Sequence, residues 1–305
     1  MPNISIVIPV YNAEATLSEL CSGISKEMQE LASEFEIILV EDCSRDGSWK
    51  MVESLASNDE KIRGIALGRN FGQHNALLCG IRAARYEIVV TLDDDLQNPP
   101  SQIRLLLDKL AEGHDVVYGV PNVGQHGFLR NVASRMTKLA LQGTIGVAAA
   151  RDVSAFRAFR THLRDGFADF QSPSVSIDVL LTWASSRFSS VIVEHRPRSI
   201  GESNYTVRKL ISHAFNLITG FSSLPLKLAS VIGFVVTLFG LVILSYVLGR
   251  YFINGGSVPG FAFLASIITI FAGTQMFVIG IFGEYLARIH FRTLNRPPYV
   301  VREEI

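Results

Sequence analysis

Cysteine is scarce: the 305 residues hold three, Cys21, Cys43 and Cys79. An odd number without disulfide or zinc spacing argues against a disulfide scaffold and a thiolate metal centre, so all three are expected as small core residues. Charge is also low, at 18% of residues against roughly 25% in ordinary soluble domains. Lys and Arg number 28 and Asp and Glu 28, giving a formal net charge of zero. A chain so balanced has no basic footprint, which argues against nucleic acid as a partner. Three chemical signatures are absent. No G-x-G-x-x-G follows a strand pattern, and neither G-x-x-x-x-G-K-[ST] nor H-E-x-x-H occurs, so dinucleotide oxidoreduction, P-loop hydrolysis and zinc proteolysis lose their usual markers. Nor does the stretch after Met1 have the order of a secretory leader, and the large domain is expected in the cytoplasm.

Apolar residues are plentiful, at 48%, and the excess lies late in the chain. Residues 228–249 and 261–283 carry no charge, and at about 1.5 Å per residue each can cross a hydrocarbon core of roughly 30 Å. The expected organisation is a cytosolic domain over 1–204, an interfacial helix over 205–224, two transmembrane helices within 225–290, and a cytosolic C-terminal tail over 291–305. Val207, Leu210, Ile211, Ala214, Phe215, Ile218 and Phe221 recur at helical spacing, as a helix lying on the inner leaflet would require. Arg208, Lys209, Lys227, Arg288, Arg292, Arg296 and Arg302 flank the outer ends of the apolar pair, and only Arg250 adjoins the connection between them. The positive-inside rule then puts both termini in the cytoplasm of a multi-pass inner-membrane protein.

In the first part, apolar segments at 4–9, 36–40, 62–66, 87–92 and 115–119 alternate with helical patterns such as 16–31 and 101–110. The alternation predicts a mostly parallel α/β sheet with helices on both faces. Ligands of such sheets sit outside the C-terminal strand ends. There the chain puts Val10-Tyr-Asn-Ala-Glu14, Glu41-Asp-Cys-Ser-Arg-Asp-Gly47, Gly68-Arg-Asn-Phe-Gly-Gln-His74 and the run Asp93-Asp94-Asp95. Adjacent carboxylates repel and are costly to desolvate without a cation. Oxygen ligands at a strand end suit Mg²⁺ or Mn²⁺, which complete their shells with water and substrate phosphate. A substrate carrying a diphosphate is therefore expected.

Ser5-Ile-Val-Ile-Pro-Val-Tyr-Asn12, Val40-Glu-Asp-Cys-Ser-Arg-Asp-Gly47 and Leu92-Asp-Asp-Asp-Leu-Gln97 resemble the successive motifs of family 2 glycosyltransferases with the GT-A (Rossmann-like) fold. With Gly201-Glu-Ser-Asn-Tyr205 and the two late spans, the chain is similar to the polyprenyl-phosphate branch. That branch includes dolichyl-phosphate mannose synthase, bactoprenol glucosyltransferase and undecaprenyl-phosphate aminoarabinose transferase. Asn70-Phe-Gly-Gln-His74 and Leu96-Gln-Asn-Pro-Pro100 look closest to the aminoarabinose members.

The resemblance implies inverting transfer of one sugar from a nucleotide sugar, UDP-linked, to polyprenyl phosphate at the cytosolic membrane face, by a homo-oligomer, a tetramer in relatives. A non-catalytic membrane-anchored nucleotide-sugar-binding protein or scaffold is the alternative. A processive synthase is disfavoured, because neither Trp49 nor Trp183 stands in a Q-x-x-R-W motif.

By the same resemblance Pro9, Tyr11, Asn12, Glu14, Asp42, Arg69 and Asp94 belong to the donor site, and Asp93, Asp95 and Gln97 to the metal. Alternate residues of an extended segment share a side, so these last three are expected to converge and Asp94 to face away. Asp42 and Asp46 can instead cap the helix from Ser48, and Arg69 can pair with a carboxylate. Arg130, Arg196, Arg198 and Ser203 are implied at the acceptor phosphate, with Asp93, Asp95, Arg130 and Arg198 in the catalytic set. Asn204 replaces the lysine usual in relatives, and Ala155 precedes the Phe156-Arg157 pair where relatives have a polar residue, so no general base is named. His74 reads as a hydrogen-bonded loop residue.

Overall fold

The computed structural model describes residues 1–121, 153–172, 175–196, 224–254, 260–294 and 296–305. They divide into two units, residues 1–214 with 295–305, and residues 215–294. The first is built on one sheet whose strands are β1 (Ile4–Val10), β2 (Phe35–Glu41), β3 (Ile62–Leu67), β4 (Ile88–Thr91), β5 (Val116–Pro121), β6 (Arg157–Arg160), β7 (Phe188–Val193) and β8 (Val301–Glu304). Their spatial order is β7-β5-β6-β4-β1-β2-β3-β8. The pairs β4-β1-β2-β3 and β5-β7 run parallel, whereas β6 runs antiparallel between β4 and β5, and β8 antiparallel beside β3. The mostly parallel sheet expected from the alternation is present.

Strand alternation divides the core between the two faces. From β1, Ile4, Ile6, Ile8 and Val10 enter a cluster with α1 (Leu17–Leu31), α2 (Ser48–Asn58) and α4 (Ile103–Ala111), the last two through Val52 and Ile103. Val7 enters the opposite cluster with α3 (Gln73–Ala83) and α5 (Ile177–Ala184). Helix α3 lies very close to the sheet, since a Cβ built on Gly80 would strike the Val7 side chain and stand 3.0 Å from Val40. Gly80→Ala is expected to destabilise the chain by about 1–3 kcal/mol, measurable as a lower unfolding temperature, because a packed core resists added volume.

The C-terminal residues expected as a separate tail supply an edge of the sheet instead. Backbone bonds run from Gly64 N–H to Ile305 O at 3.0 Å and from Gly68 N–H to Val300 O at 2.9 Å. Arg63 bonds Glu304 at 2.6 Å and Glu36 at 2.9 Å. All four residues of β8 are exposed and three are charged, a composition that blunts an open edge. Cys21 and Cys79 are core residues as expected, whereas Cys43 is half-buried in a loop. Burial pushes the Cys21 and Cys79 thiols up to about 12.

In the second unit α6 (Leu224–Asn254) and α7 (Phe261–Thr293) are long and apolar. Gly240 of α6 lies where a Cβ would strike the Phe271 ring of α7. Phe234 is 70% exposed and Phe252 80%, a side-chain display that calls for an apolar surrounding. Among the described residues Ile270–Ala287 is long and apolar enough to cross a membrane, and Leu228–Ile243 is a shorter apolar stretch. The expected interfacial helix lies outside the described residues.

Candidate active site

The rim loops follow β1, β2, β3 and β4 at their C-terminal ends, and the backbone marks three of them. Among the described residues the non-glycine positions with positive φ are Asn12 at 54°, Cys43 at 55° and Leu96 at 60°, one in each loop after β1, β2 and β4. Such conformations cost on the order of 1–3 kcal/mol and persist where surrounding bonds impose them. At Asn12 those bonds are visible: its N–H donates to Ser44 Oγ at 3.0 Å, and its Oδ1 accepts Arg45 N–H at 2.9 Å. Glu14 braces the same junction by accepting Gly47 N–H at 2.9 Å. A side chain on Gly47 would run into that carboxylate, 2.5 Å away. Tyr11 is 39% exposed on the rim, while Pro9 is buried inside β1.

Of the two roles open to Asp42 in the sequence, donor binding and helix capping, its hydrogen bonds bear on the second. It does not cap α2; its two oxygens accept the N–H groups of Phe71 and Gly72, each at 2.7 Å. It is only 3% exposed, so it holds the loop that opens α3 from beneath. Burial pushes its carboxyl above the ordinary value; the two backbone bonds pull the other way without overcoming it, and the Glu41 charge adds to the rise. Glu41 itself is buried and accepts Ser44 N–H.

Asp46 stands one residue before Gly47, the N-cap of α2, and binds the first residue of the helix. Its Oδ1 accepts Ser48 N–H at 3.1 Å and Ser48 Oγ–H at 2.5 Å, and Oδ2 accepts Glu14 N–H at 3.2 Å. Burial would raise this carboxyl, but the Ser48 hydroxyl and the backbone donors outweigh it, leaving the group below its ordinary value. Arg69 lies over the Phe71 ring at 4.5 Å, a cation–π contact that holds the guanidinium on the rim.

The acidic run is a turn rather than an extension of β4. The strand ends at Thr91 and the turn spans residues 94–96, with Leu96 in the left-handed region. Strand alternation therefore does not govern Asp93, Asp95 and Gln97. Each carboxylate instead meets a different donor: Asp93 accepts Gln73 Nε2–H at 2.6 Å, Asp94 accepts Tyr11 N–H at 3.0 Å, and Asp95 accepts Gln97 N–H at 3.1 Å. Asp94, expected to face away, thus fastens the turn to the loop after β1, helped by Thr16 Oγ, which donates to Asp94 O at 2.7 Å.

Gln97 is joined to Arg196 in both directions. Arg196 N–H donates to Gln97 O at 2.8 Å, and Gln97 Nε2–H to Arg196 O at 3.3 Å. His195 Nδ1 lies 3.4 Å from Asn98 Oδ1, and Glu194 N–H donates to Gln102 Oε1 at 3.0 Å. The segment after β7 thus runs along the segment after the carboxylates. Arg196 Nε also donates to the exposed Glu194 at 3.0 Å, a pair weak enough to yield to a phosphate.

Among the described residues no group of three or more His, Cys, Asp and Glu side chains is arranged to hold a metal. Two carboxylates with an amide oxygen nevertheless fit a hard cation that takes its remaining ligands from water and phosphate. A carboxylate has about four acceptor positions, so a hydrogen bond to Asp93 or Asp95 is compatible with cation binding by the same group. Gln97 donates through its nitrogen, which turns its oxygen to acceptor use. Arg130, Arg198 and Ser203 lie outside the described residues.

Two features had no signal in the sequence: the Gln73–Asp93 bond, and the buried polar network around Arg157. Arg157 is 1% exposed. Its Nε donates to Thr91 Oγ at 3.1 Å and its guanidinium pairs with Asp178, which also accepts the Tyr118 hydroxyl at 3.1 Å. Burial pushes that hydroxyl well above its ordinary value, and the Asp178 charge adds to the rise. The phenol therefore stays protonated and donates.

Comparison with known proteins adds three findings. Residues 5–166 match the family described as glycosyl transferase family 2. The undecaprenyl-phosphate 4-deoxy-4-formamido-L-arabinose transferase of Pseudomonas fluorescens (strain SBW25) is 35% identical, over 98% of this chain and 89% of its own. The protein of the same name from Shewanella sediminis (strain HAW-EB3) is also 35% identical, over 98% and 92%. Among solved structures, glucosyl-3-phosphoglycerate synthase from Mycobacterium tuberculosis, in complex with Mn²⁺, UDP and glucosyl-3-phosphoglycerate, matches with a TM-score of 0.53 at 20% identity. It covers 72% of this chain and 78% of its own. That likeness is one of fold.

Proposed function

The chain belongs to glycosyltransferase family 2, and from that premise we propose that it transfers one sugar, with inversion, from a UDP-linked donor to polyprenyl phosphate at the cytosolic face of the inner membrane. The observation that carries this reading is the joint at Gln97. It brings a candidate cation ligand and a candidate acceptor-phosphate arginine, Arg196, together through two hydrogen bonds at one end of the sheet. Relatives similar over nearly the whole length are named for transfer involving undecaprenyl phosphate. Their names also make 4-deoxy-4-formamido-L-arabinose the first sugar to test, supplied on the UDP carrier proposed here.

The chemistry divides between the two sides of the joint. A phosphate monoester has a second pKa of about 6 and is mostly dianionic at neutral pH, so the acceptor needs no general base. Arg196 would grip it by charge-assisted hydrogen bonds, with Arg130, Arg198 and Ser203 added from outside the described residues. A divalent cation, Mg²⁺ or Mn²⁺, held by Asp93, Asp95 and Gln97, would neutralise charge on the departing nucleoside diphosphate. Tyr11, Asn12 and Glu14 on the loop after β1 and Arg69 on the loop after β3 would frame the donor; Asp94 fastens the first loop to the acidic turn, and Asp42, from the loop after β2, supports the second. Pro9 contributes the buried strand end.

Membrane attachment has support from chain connectivity. Strand β8 follows α7 yet shares a sheet with β1 to β7, so β7 and β8 lie on one side of any bilayer. The number of crossings between them is then even. If α7 spans through Ile270–Ala287, a second crossing is needed, and α6 is the segment for it. The homo-oligomeric state belongs to the same proposal and rests on resemblance alone.

A donor screen by thermal shift tests the donor half directly. A UDP-sugar is expected to raise the unfolding temperature in the presence of Mn²⁺ and much less after chelation, because ligand that binds only the folded state stabilises it by mass action. No shift with any nucleotide sugar would refute the proposal.

A further inference from the structure

Gln73 is the first residue of α3, and it approaches the acidic turn from a different loop. Its Nε2 lies 2.6 Å from Asp93 Oδ1. An ionised carboxylate offers only acceptors, so the amide must present its NH₂ side. The loop that presents it is held at several points. Asp42 takes the N–H groups of Phe71 and Gly72, and Asn75 Nδ2 donates to Phe71 O at 2.5 Å. Gly72 has φ 94° with open space where a Cβ would stand, so glycine serves here for its backbone conformation and not for room. On the far side, His74 Nδ1 accepts Ile177 N–H at 3.4 Å, which ties the start of α3 to the start of α5.

We propose that Gln73 is a positioning residue that fixes the Asp93 carboxylate for cation binding, an inference that rests on the reading of the acidic turn as the cation and donor site. A hydrogen bond to a ligand oxygen restricts the orientation of the carboxylate before the cation arrives, and outer partners of this kind commonly govern affinity. A neutral donor suits the task. Lysine or arginine at position 73 could orient Asp93 equally well, but its charge would oppose the ion. Glutamate would lose the donor and add a fourth carboxylate.

The test is a Mn²⁺ titration of the full chain in nanodiscs, read by the electron paramagnetic resonance of free Mn²⁺, with and without UDP. Gln73→Met keeps the side-chain length without the donor, and Gln73→Asn keeps the amide but is one methylene too short. Gln73 is exposed, so neither change enters the core. Both variants are expected to bind Mn²⁺ about tenfold or more weakly, the range typical of lost outer partners. The rate at saturating Mn²⁺ should recover most of its original value, so that the deficit falls on the KM for metal and not on kcat. Mn²⁺ affinity within twofold of the unaltered chain in both variants would overturn the role of Gln73 and leave the site itself standing. No Mn²⁺ binding by the unaltered chain, even with UDP, would overturn both.

Discussion

Asp95→Ala is expected to lower kcat/KM for sugar transfer to polyprenyl phosphate by about 10²–10³-fold, the scale on which charge stabilisation at a developing anion usually acts. Asp95 accepts the N–H of Gln97, so the substitution removes an oxygen donor for the cation and loosens the turn that carries Gln97 to Arg196. Asp93→Ala should fall in the same range, since Asp93 is the carboxylate that Gln73 holds. Asp94→Ala should cost less, because Asp94 bonds a backbone N–H of the loop after β1; its effect should fall mainly on the KM for the donor. Asp108 on α4 is exposed, and Asp108→Ala should leave the rate unchanged. Steady-state kinetics on the four purified variants measure these differences. Asp95→Ala within fivefold of the unaltered enzyme would remove the acidic turn from the chemistry.

The second large effect is on stability. Arg157→Met is expected to destabilise the chain by about 3–5 kcal/mol, because it leaves the Asp178 carboxylate buried without its counter-charge. Arg157 is nearly inaccessible, and Asp178 and Tyr118 are buried beside it. Adding Asp178→Leu and Tyr118→Phe should recover most of the loss, since removing the partners of a buried polar network together can be close to neutral, and Thr91 Oγ keeps its bond to Ala155 O. Denaturant unfolding of the single and triple variants measures both effects. A single variant as stable as the unaltered chain would mean that the pair contributes nothing to holding β4, β6 and α5 together. Arg157 also donates to Thr91, the last residue of β4 before the acidic turn, so the single variant should lose activity as well.

The parts of this architecture legible in the sequence are those with a local signal. Strands β1 to β5 are apolar and punctuated by polar loops, and those loops stand on the rim where ligands of parallel sheets bind. The acidic triplet was recognisable because its three charges demand an explanation wherever they fall. Strand β6 was not legible. It has four residues, two of them arginines, and is a strand only because β4 and β5 leave a gap that it bridges. Strand β8 was hidden for a related reason, since Val-Arg-Glu-Glu has no apolar run and owes its conformation to the open edge of β3.

The roles of individual site residues depended on partners distant in the chain. Asp42 meets Phe71 and Gly72, Asp93 meets Gln73, and Arg157 meets Asp178, in pairs that no spacing rule links. Leu96 misled in another way. A bulky residue gives no warning of a left-handed backbone, and that one torsion turns an expected strand extension into a turn. The acceptor residues Arg130, Arg198 and Ser203, together with the helix over 205–224, remain expectations of the sequence.

The most direct test is reconstitution. The purified chain is placed in nanodiscs with undecaprenyl phosphate, Mn²⁺ and a panel of UDP-sugars that includes the 4-formamido-4-deoxy-arabinose donor, and the lipids are read by mass spectrometry. The account predicts one sugar added to the lipid phosphate, an equal amount of UDP released, and loss of both on chelation of the metal. A lipid fraction unchanged with every donor, or transfer that proceeds equally well after chelation, would contradict it.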